Sequence, residues 1–170
     1  HAVGRVLREH GLRVITALDG RSERTRTLAA EAGIEDVGGF AELAAAADMV
    51  LSILVPAEAV AVAQQMAHAL PARPTPLLYV DCNAIAPATV RQIEGIITAV
   101  GGRFADGSII GPPPRKPGAP RFYASGPHAA DFARLNQFGL HVLVIDGPAG
   151  QASALKMCYA AVTKGFTALC

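Results

Sequence analysis

The stretch Ala47-Asp48-Met49-Val50-Leu51-Ser52-Ile53-Leu54-Val55-Pro56 decides the fold. From Asp48 to Val55 it is almost unbroken apolar sequence, the pattern of a parallel strand buried on both faces. Pro56 suits the first position of a helix, predicted to run to about Leu70. Working upstream, Phe40–Ala47 reads as a short helix. Ser22–Ala32 reads as a helix capped by Ser22, with Gly33 past its end. Leu12–Leu18 is β-branched enough for a strand, and His1–His10 has Val3, Val6 and Leu7 at helical spacing before Gly11. Downstream, Pro76–Cys82 is a strand and Pro87–Val100 a helix. Arg103–Ile110 and Arg121–Ser125 are strands, Pro127–Phe138 is helical, and Leu140–Ile145 is a strand. From about Ala149 to Cys170 the pattern is helical without an internal proline. This alternation predicts an α/β fold: a doubly wound, mostly parallel sheet with helices on both faces.

The chain of 170 residues is long enough for one well-buried domain and short for two. Hydrophobic residues make up 51% and charged residues 17%, which excludes a disordered chain. A net charge of +1 argues against a general nucleic-acid or membrane-surface binder. Three scattered cysteines suit neither a disulfide framework nor a metal knuckle and fit a reducing compartment. His10, His68, His128 and His141 lack metal-ligand spacing, so no metal is expected. No apolar run is long enough to cross a bilayer and no signal-peptide pattern is present; a cytoplasmic location is expected. The proline-rich stretch Gly111–Gly118 (GPPPRKPG) reads as a stiff loop. One boundary is drawn, near Pro148: residues 1–148 form the main domain and 149–170 a long linking helix.

Dinucleotide-binding sheets begin with a strand and a glycine-rich turn that opens a helix. Here His1-Ala2-Val3-Gly4-Arg5-Val6-Leu7 reads as the helix itself, and Leu12–Leu18 as the second strand. The expectation is a domain without its central first strand and phosphate-binding turn. A domain that starts with a helix, with another strand at its centre, is the alternative.

Candidate site residues follow the strands. After the strand ending at Leu18 come Asp19, Gly20, Arg21, Ser22, Glu23 and Arg24. An acidic side chain there accepts hydrogen bonds from ribose hydroxyls, whereas Arg and Ser hold a 2′-phosphate. Asp19 therefore favours NAD, and Arg21, Ser22 and Arg24 favour NADP; a solvated helix start is the plainer reading. Leu54, Val55 and Pro56 end the next strand, at the edge where ligands lie in such sheets. Asn83, in Asp81-Cys82-Asn83-Ala84, offers a donor and an acceptor to a carboxamide, and is also an ordinary turn residue. Lys156 lies on the long helix among small and apolar residues, with Tyr159, Ala160 and Thr163 on its face. A lysine so placed titrates closer to neutrality and can move protons, or else it snorkels to water.

Taken in order, ADMVLSILVP, YVDCNAIAP, FADGSIIGPP with RFYASG, and GQASALKMCYAAVTKG make the chain resemble the superfamily of 6-phosphogluconate and 3-hydroxyisobutyrate dehydrogenases. Among these β-hydroxyacid dehydrogenases it is most similar to a branch with a C-terminal domain of unknown function. The resemblance covers essentially the whole chain. It implies a Rossmann-type domain, a long interdomain helix, and an all-helical domain that builds a homodimer. It implies NADP, with NAD possible, and a small-molecule substrate, with neither nucleic acid nor membrane as partner. The family's proton-exchanging lysine maps to Lys156. Its cofactor-contacting residues map to Asp19 or Gly20, Arg21 and Ser22, and to Leu54, Val55 and Pro56.

Its substrate loop maps to Asp106–Pro112, so Ser108, Ile110, Gly111 and Pro112 are the implied substrate contacts. Four positions depart from the family. Ile110 replaces a serine, Asn83 and Ala84 replace a serine and a threonine, and Ala160 replaces an asparagine one turn after the lysine. Ser108, Tyr159 and Thr163 are candidates to supply the missing polar groups, Tyr159 as a second catalytic residue. The expected activity is hydride transfer between nicotinamide and a hydroxy or keto group of a small acid. An imine reductase of the same architecture and a non-catalytic NADP-binding module are the alternatives.

Overall fold

The structure, a computed structural model, describes residues 1–70, 75–112, 114 and 120–169. Most of the proline-rich stretch expected to form a stiff loop lies outside the described residues. Seven helices and seven strands are described: α1 (Ala2–Glu9), β1 (Ile15–Thr16), α2 (Glu23–Glu31), β2 (Glu35–Asp36), α3 (Phe40–Ala46), β3 (Met49–Ser52), α4 (Ala59–Ala69), β4 (Leu78–Asp81), α5 (Pro87–Ala99), β5 (Arg103–Ile110), β6 (Arg121–Ser125), α6 (Ala129–Ala133), β7 (Val142–Val144) and α7 (Gln151–Leu169). Single 3-10 turns lead into α4 and continue α6.

Strands β3, β4 and β5 run parallel, β6 pairs antiparallel with β5, and β7 runs parallel to β6. Strands β1 and β2 form a separate two-stranded parallel sheet. Alternation along the strands sorts side chains onto two faces. Tyr79 and Phe104 pack with Leu43 of α3, Met66 of α4 and Ile93 and Ile97 of α5. Leu78, Val80, Ala105 and Phe122 face the opposite way, against Leu7 of α1 and Phe132 of α6. Both faces are helix-covered, as a doubly wound sheet requires.

Two expectations are corrected. The run 48–55 is not buried on both faces throughout: Met49, Val50 and Leu51 are half-buried and Ile53 is 47% exposed. The ladder of β3 is made to β4 alone, so its other edge lacks a covering neighbour among the described strands. Strand pairing in Leu12–Leu18 is limited to Ile15 and Thr16, because its partner β2 is only two residues long.

Candidate functional site at the strand ends

The residues expected to meet a cofactor come directly after the C-terminal ends of β1, β3 and β4. After β1 the backbone turns, with the Arg21 amide donating to the Leu18 carbonyl at 3.0 Å. Ser22 caps α2, its Oγ accepting from the Thr25 amide at 3.4 Å. Arg21 and Arg24 are exposed and, among the described residues, make no ion pair. Arg26, which the sequence did not single out, does structural work: its guanidinium reaches the Leu18 carbonyl and Asp36 Oδ2. Asp36 Oδ1 in turn accepts from the Leu18 and Gly38 amides. This lattice shapes the loop that presents Asp19, which is itself exposed.

After β3, Leu54 is half-buried, while Pro56 and Val55 are exposed, Val55 by 66%. The Leu54 amide donates to Asn83 Oδ1 at 2.7 Å. Asn83 Nδ2 donates to Ser52 Oγ at 3.0 Å and Asp81 Oδ2 at 2.9 Å, and its backbone amide donates to Asp81 Oδ1. Asn83 is buried and its amide is engaged inside the chain. Asn83 thus ties the ends of β3 and β4 together, as the turn role read from the sequence would have it.

Ser108 on β5 is fully buried and its hydroxyl has no hydrogen-bond partner among the described residues. Ile110 is half-buried at the end of the same strand, and Gly111 and Pro112 are exposed beyond it.

Lys156 is half-buried on α7. Burial lowers its pKa, while the nearby Cys82 and Asp81 oppose that and Lys164 adds to it. Burial pushes the Asp81 carboxyl up; hydrogen bonds from Asn83 oppose this, the charge of Asp106 reinforces it, and that of Lys156 opposes it. Burial also raises the Cys82 thiol. Tyr159, one turn beyond Lys156, is 52% exposed, and Thr163 spends its hydroxyl on the Tyr159 carbonyl.

Two buried carboxylates, Asp81 and Asp106, were missed as site residues although both were quoted within motifs. Each is fully buried in a largely buried strand. That was the available signal, since a charge in a buried strand must have partners. Among the described residues, no group of three His, Cys, Asp or Glu side chains is placed to hold a metal ion, and no helix is long and apolar enough to cross a membrane.

No family model matches the sequence. The chain is 31% identical over 156 residues to an uncharacterised 28.5 kDa protein in a 7S RNA 5′ region of Methanothermus fervidus, covering 92% of this chain and 58% of that protein. It is 33% identical to the conserved protein MTH1747, of unknown function, with a TM-score of 0.85 over 99% of this chain and 62% of the other. That structure is described as similar to 3-hydroxyacid dehydrogenases. The chain has the fold of the 6-phosphogluconate and 3-hydroxyisobutyrate dehydrogenase superfamily. Imine reductases from Myxococcus stipitatus share the fold, at 18% identity and a TM-score of 0.78 for one solved with NADP+, and 19% and 0.76 for a variant with NAD+. Each covers 99% of this chain and 59% of the enzyme. The chain thus spans about three fifths of the length of the proteins it matches.

Proposed function

We propose that this superfamily member is an NADP-dependent oxidoreductase that interconverts a hydroxy and a keto group on a small acid, with Lys156 as general acid/base. One observation carries the reading. Lys156 is half-buried and within reach of the charges of Asp81 and Cys82, at the end of β4, next to the strand end from which Leu54–Pro56 emerges. Ligands in open α/β sheets bind along that edge.

The residues present fit a dinucleotide. Arg21 and Arg24 are exposed cations beside the capped start of α2, a suitable place for a 2′-phosphate. Leu54, Val55 and Pro56 supply an apolar surface at the next strand end. When bound, the nicotinamide supplies hydride chemistry, and the chain's own groups bind, orient and move the proton. Lys156 accepts the proton of a substrate hydroxyl in oxidation and returns one in reduction. Its lowered pKa brings it closer to the operating range of such a group. Ser108, whose hydroxyl has no partner among the described residues, and Ile110, Gly111 and Pro112 are the substrate contacts in this reading. Tyr159 is the second proton-bearing candidate.

Lys156→Met in the full polypeptide tests the assignment. Turnover should fall about 10²–10⁴-fold with NADP(H) affinity nearly unchanged. Near-normal turnover in Lys156→Met, together with its loss in Tyr159→Phe, transfers the proton role to Tyr159. Cofactor choice is tested separately. A charge-assisted phosphate contact of about 1.5–3 kcal/mol gives NADP(H) a ten- to hundredfold preference, which Arg21→Ala should erode. Tighter binding of NAD(H), indifferent to Arg21→Ala, assigns the loop to Asp19 instead.

A further inference from the structure

Residue Asp106 sits in the middle of β5, fully buried, and has no contact with solvent to satisfy its charge. Four hydrogen bonds do so instead. Oδ2 accepts from Ser125 Oγ at 2.9 Å, from the Gly150 amide at 2.9 Å and from the Ser153 amide at 3.0 Å; Oδ1 accepts from Ser153 Oγ at 2.6 Å. Ser125, on β6, accepts from the Ala152 amide at 3.0 Å. Three amides at the start of α7 that lack intrahelical partners, those of Gly150, Ala152 and Ser153, are thus held by two side chains of the sheet. The carboxylate also meets the positive end of the helix dipole. Gly150 makes the approach possible: its φ is +105°, and a Cβ there would lie 3.3 Å from Pro87 Cβ.

Farther along, α7 loses its side support. Leu155 is 40%, Tyr159 52% and Val162 70% exposed. Within the described residues Ala154, Met157 and Ala160 keep one face of this stretch half-buried while the side chains described from Ala161 onward are exposed, so the rotation of α7 is set near its base, where the clamp lies. Lys156 is one turn beyond Ser153, only about 4.5 Å along the axis, so its direction follows the clamp closely.

We propose that Asp106 is the positioning residue for Lys156, setting the rotation and register of α7 so that the ammonium meets the end of β4. The proposal deepens the functional reading above and rests on it for the catalytic consequence alone. Asp106 acts through the helix and touches no reacting atom. The charged and titratable groups acting on Lys156 are Asp81 at the end of β4, Cys82 just after it, and Lys164 from its own helix; Asp106 is not one of them.

The test uses the full polypeptide with its lysines carrying 13C-methyl groups, so that Lys156 and Lys164 are titrated individually by NMR. Asp106→Asn removes the charge: its one oxygen stays with the Ser125, Gly150 and Ser153 donors, its NH2 faces Ser153 Oγ, and the charge-assisted bonds and the dipole contact are weakened. Ser153→Ala keeps the charge and both backbone bonds and removes only the hydroxyl bond, so it folds even where Asp106→Asn does not. A loosened base lets Lys156 sample solvent. Its titration should then move upward toward the ordinary lysine value, by about half a pH unit in Asp106→Asn and less in Ser153→Ala, with Lys164 fixed. A purely electrostatic role gives the opposite sign, because removing a negative charge lowers a lysine. Turnover should fall about 10²-fold in Asp106→Asn at unchanged cofactor affinity. An unmoved or downward Lys156 titration in the folded variants overturns the positioning role. An upward movement with full turnover keeps it and overturns the catalytic role of Lys156.

Discussion

At the residue scale, Asp81 and Lys156 are opposite charges that both carry a burial cost, and pH separates them. The folded state holds the Asp81 proton more tightly than the unfolded chain, because burial raises its pKa above 3.8. That contribution is full below the unfolded value and is lost as pH rises through the folded value. Asp81→Asn removes the cost of the buried charge, and also an acceptor for Asn83 Nδ2, but the second effect does not depend on pH. The difference in Tm between Asp81→Asn and the parent should therefore shift in favour of the variant as pH rises above about 4. A difference flat across that range would show that Asp81 is not a buried ionised group. For Lys156 the sign reverses. Its pKa is lowered from 10.5, so the unfolded chain binds the proton more tightly and stability rises with pH through the window below 10.5. At neutral pH, Lys156→Met should melt above the parent, with the advantage shrinking toward pH 10.5. A gain in stability with a loss of turnover is the mark of a group kept for chemistry.

At the scale of elements, close approach of β4 and β5 leaves no room at one position. A Cβ on Gly107 would lie 2.8 Å from Cys82 Sγ and 3.1 Å from the Asp81 carbonyl, both in a buried sheet. Gly107→Ala should cost about 1–3 kcal/mol in urea unfolding. Gly95, exposed in α5 with nothing within 4 Å of its Cβ position, gives the opposite result. Gly95→Ala should add about 0.5–1 kcal/mol, since alanine only restricts the unfolded chain and favours the helix. Equal effects of the two substitutions would refute the crowding at Gly107. Element by element, the sequence was informative where its signal is local. Ser22 before α2, Pro87 at the start of α5 and the proline-free run of α7 all marked helices within a residue or two. What it hid was pairing. Glu35 and Asp36 carry no apolar pattern, yet they form β2 because their backbone completes the β1 ladder. The bare edge of β3 was equally hidden, since an apolar run does not say how many neighbours it has. At the site, Lys156 stood out by its neighbours on one helix. The clamp of Asp106, Ser125 and Ser153 joins two strands and a helix, 47 residues apart at its widest, and no single stretch encodes it.

For the molecule as a whole, the arrangement of α7 has a consequence for assembly. Leu155, Tyr159 and Val162 are spaced i, i+4 and i+7, so they form one stripe on the helix. All three are exposed among the described residues, and Val162 is 70% so. Burying a side chain of this size is worth about 1.5–3 kcal/mol, so leaving the stripe in water forgoes several kcal/mol. We propose that the full polypeptide covers it in a homodimer. The alternative covering is the remainder of the same polypeptide, and mass decides between them. Light scattering should give a dimer for the parent. Leu155→Lys combined with Val162→Lys should shift it toward monomer, since each lysine would place a charge in an apolar interface. Tyr159 is left intact because it is a candidate for the proton chemistry, so any loss of turnover in the double variant reports on assembly. A parent that stays monomeric at high concentration would remove the dimer and assign the stripe to contacts within one polypeptide.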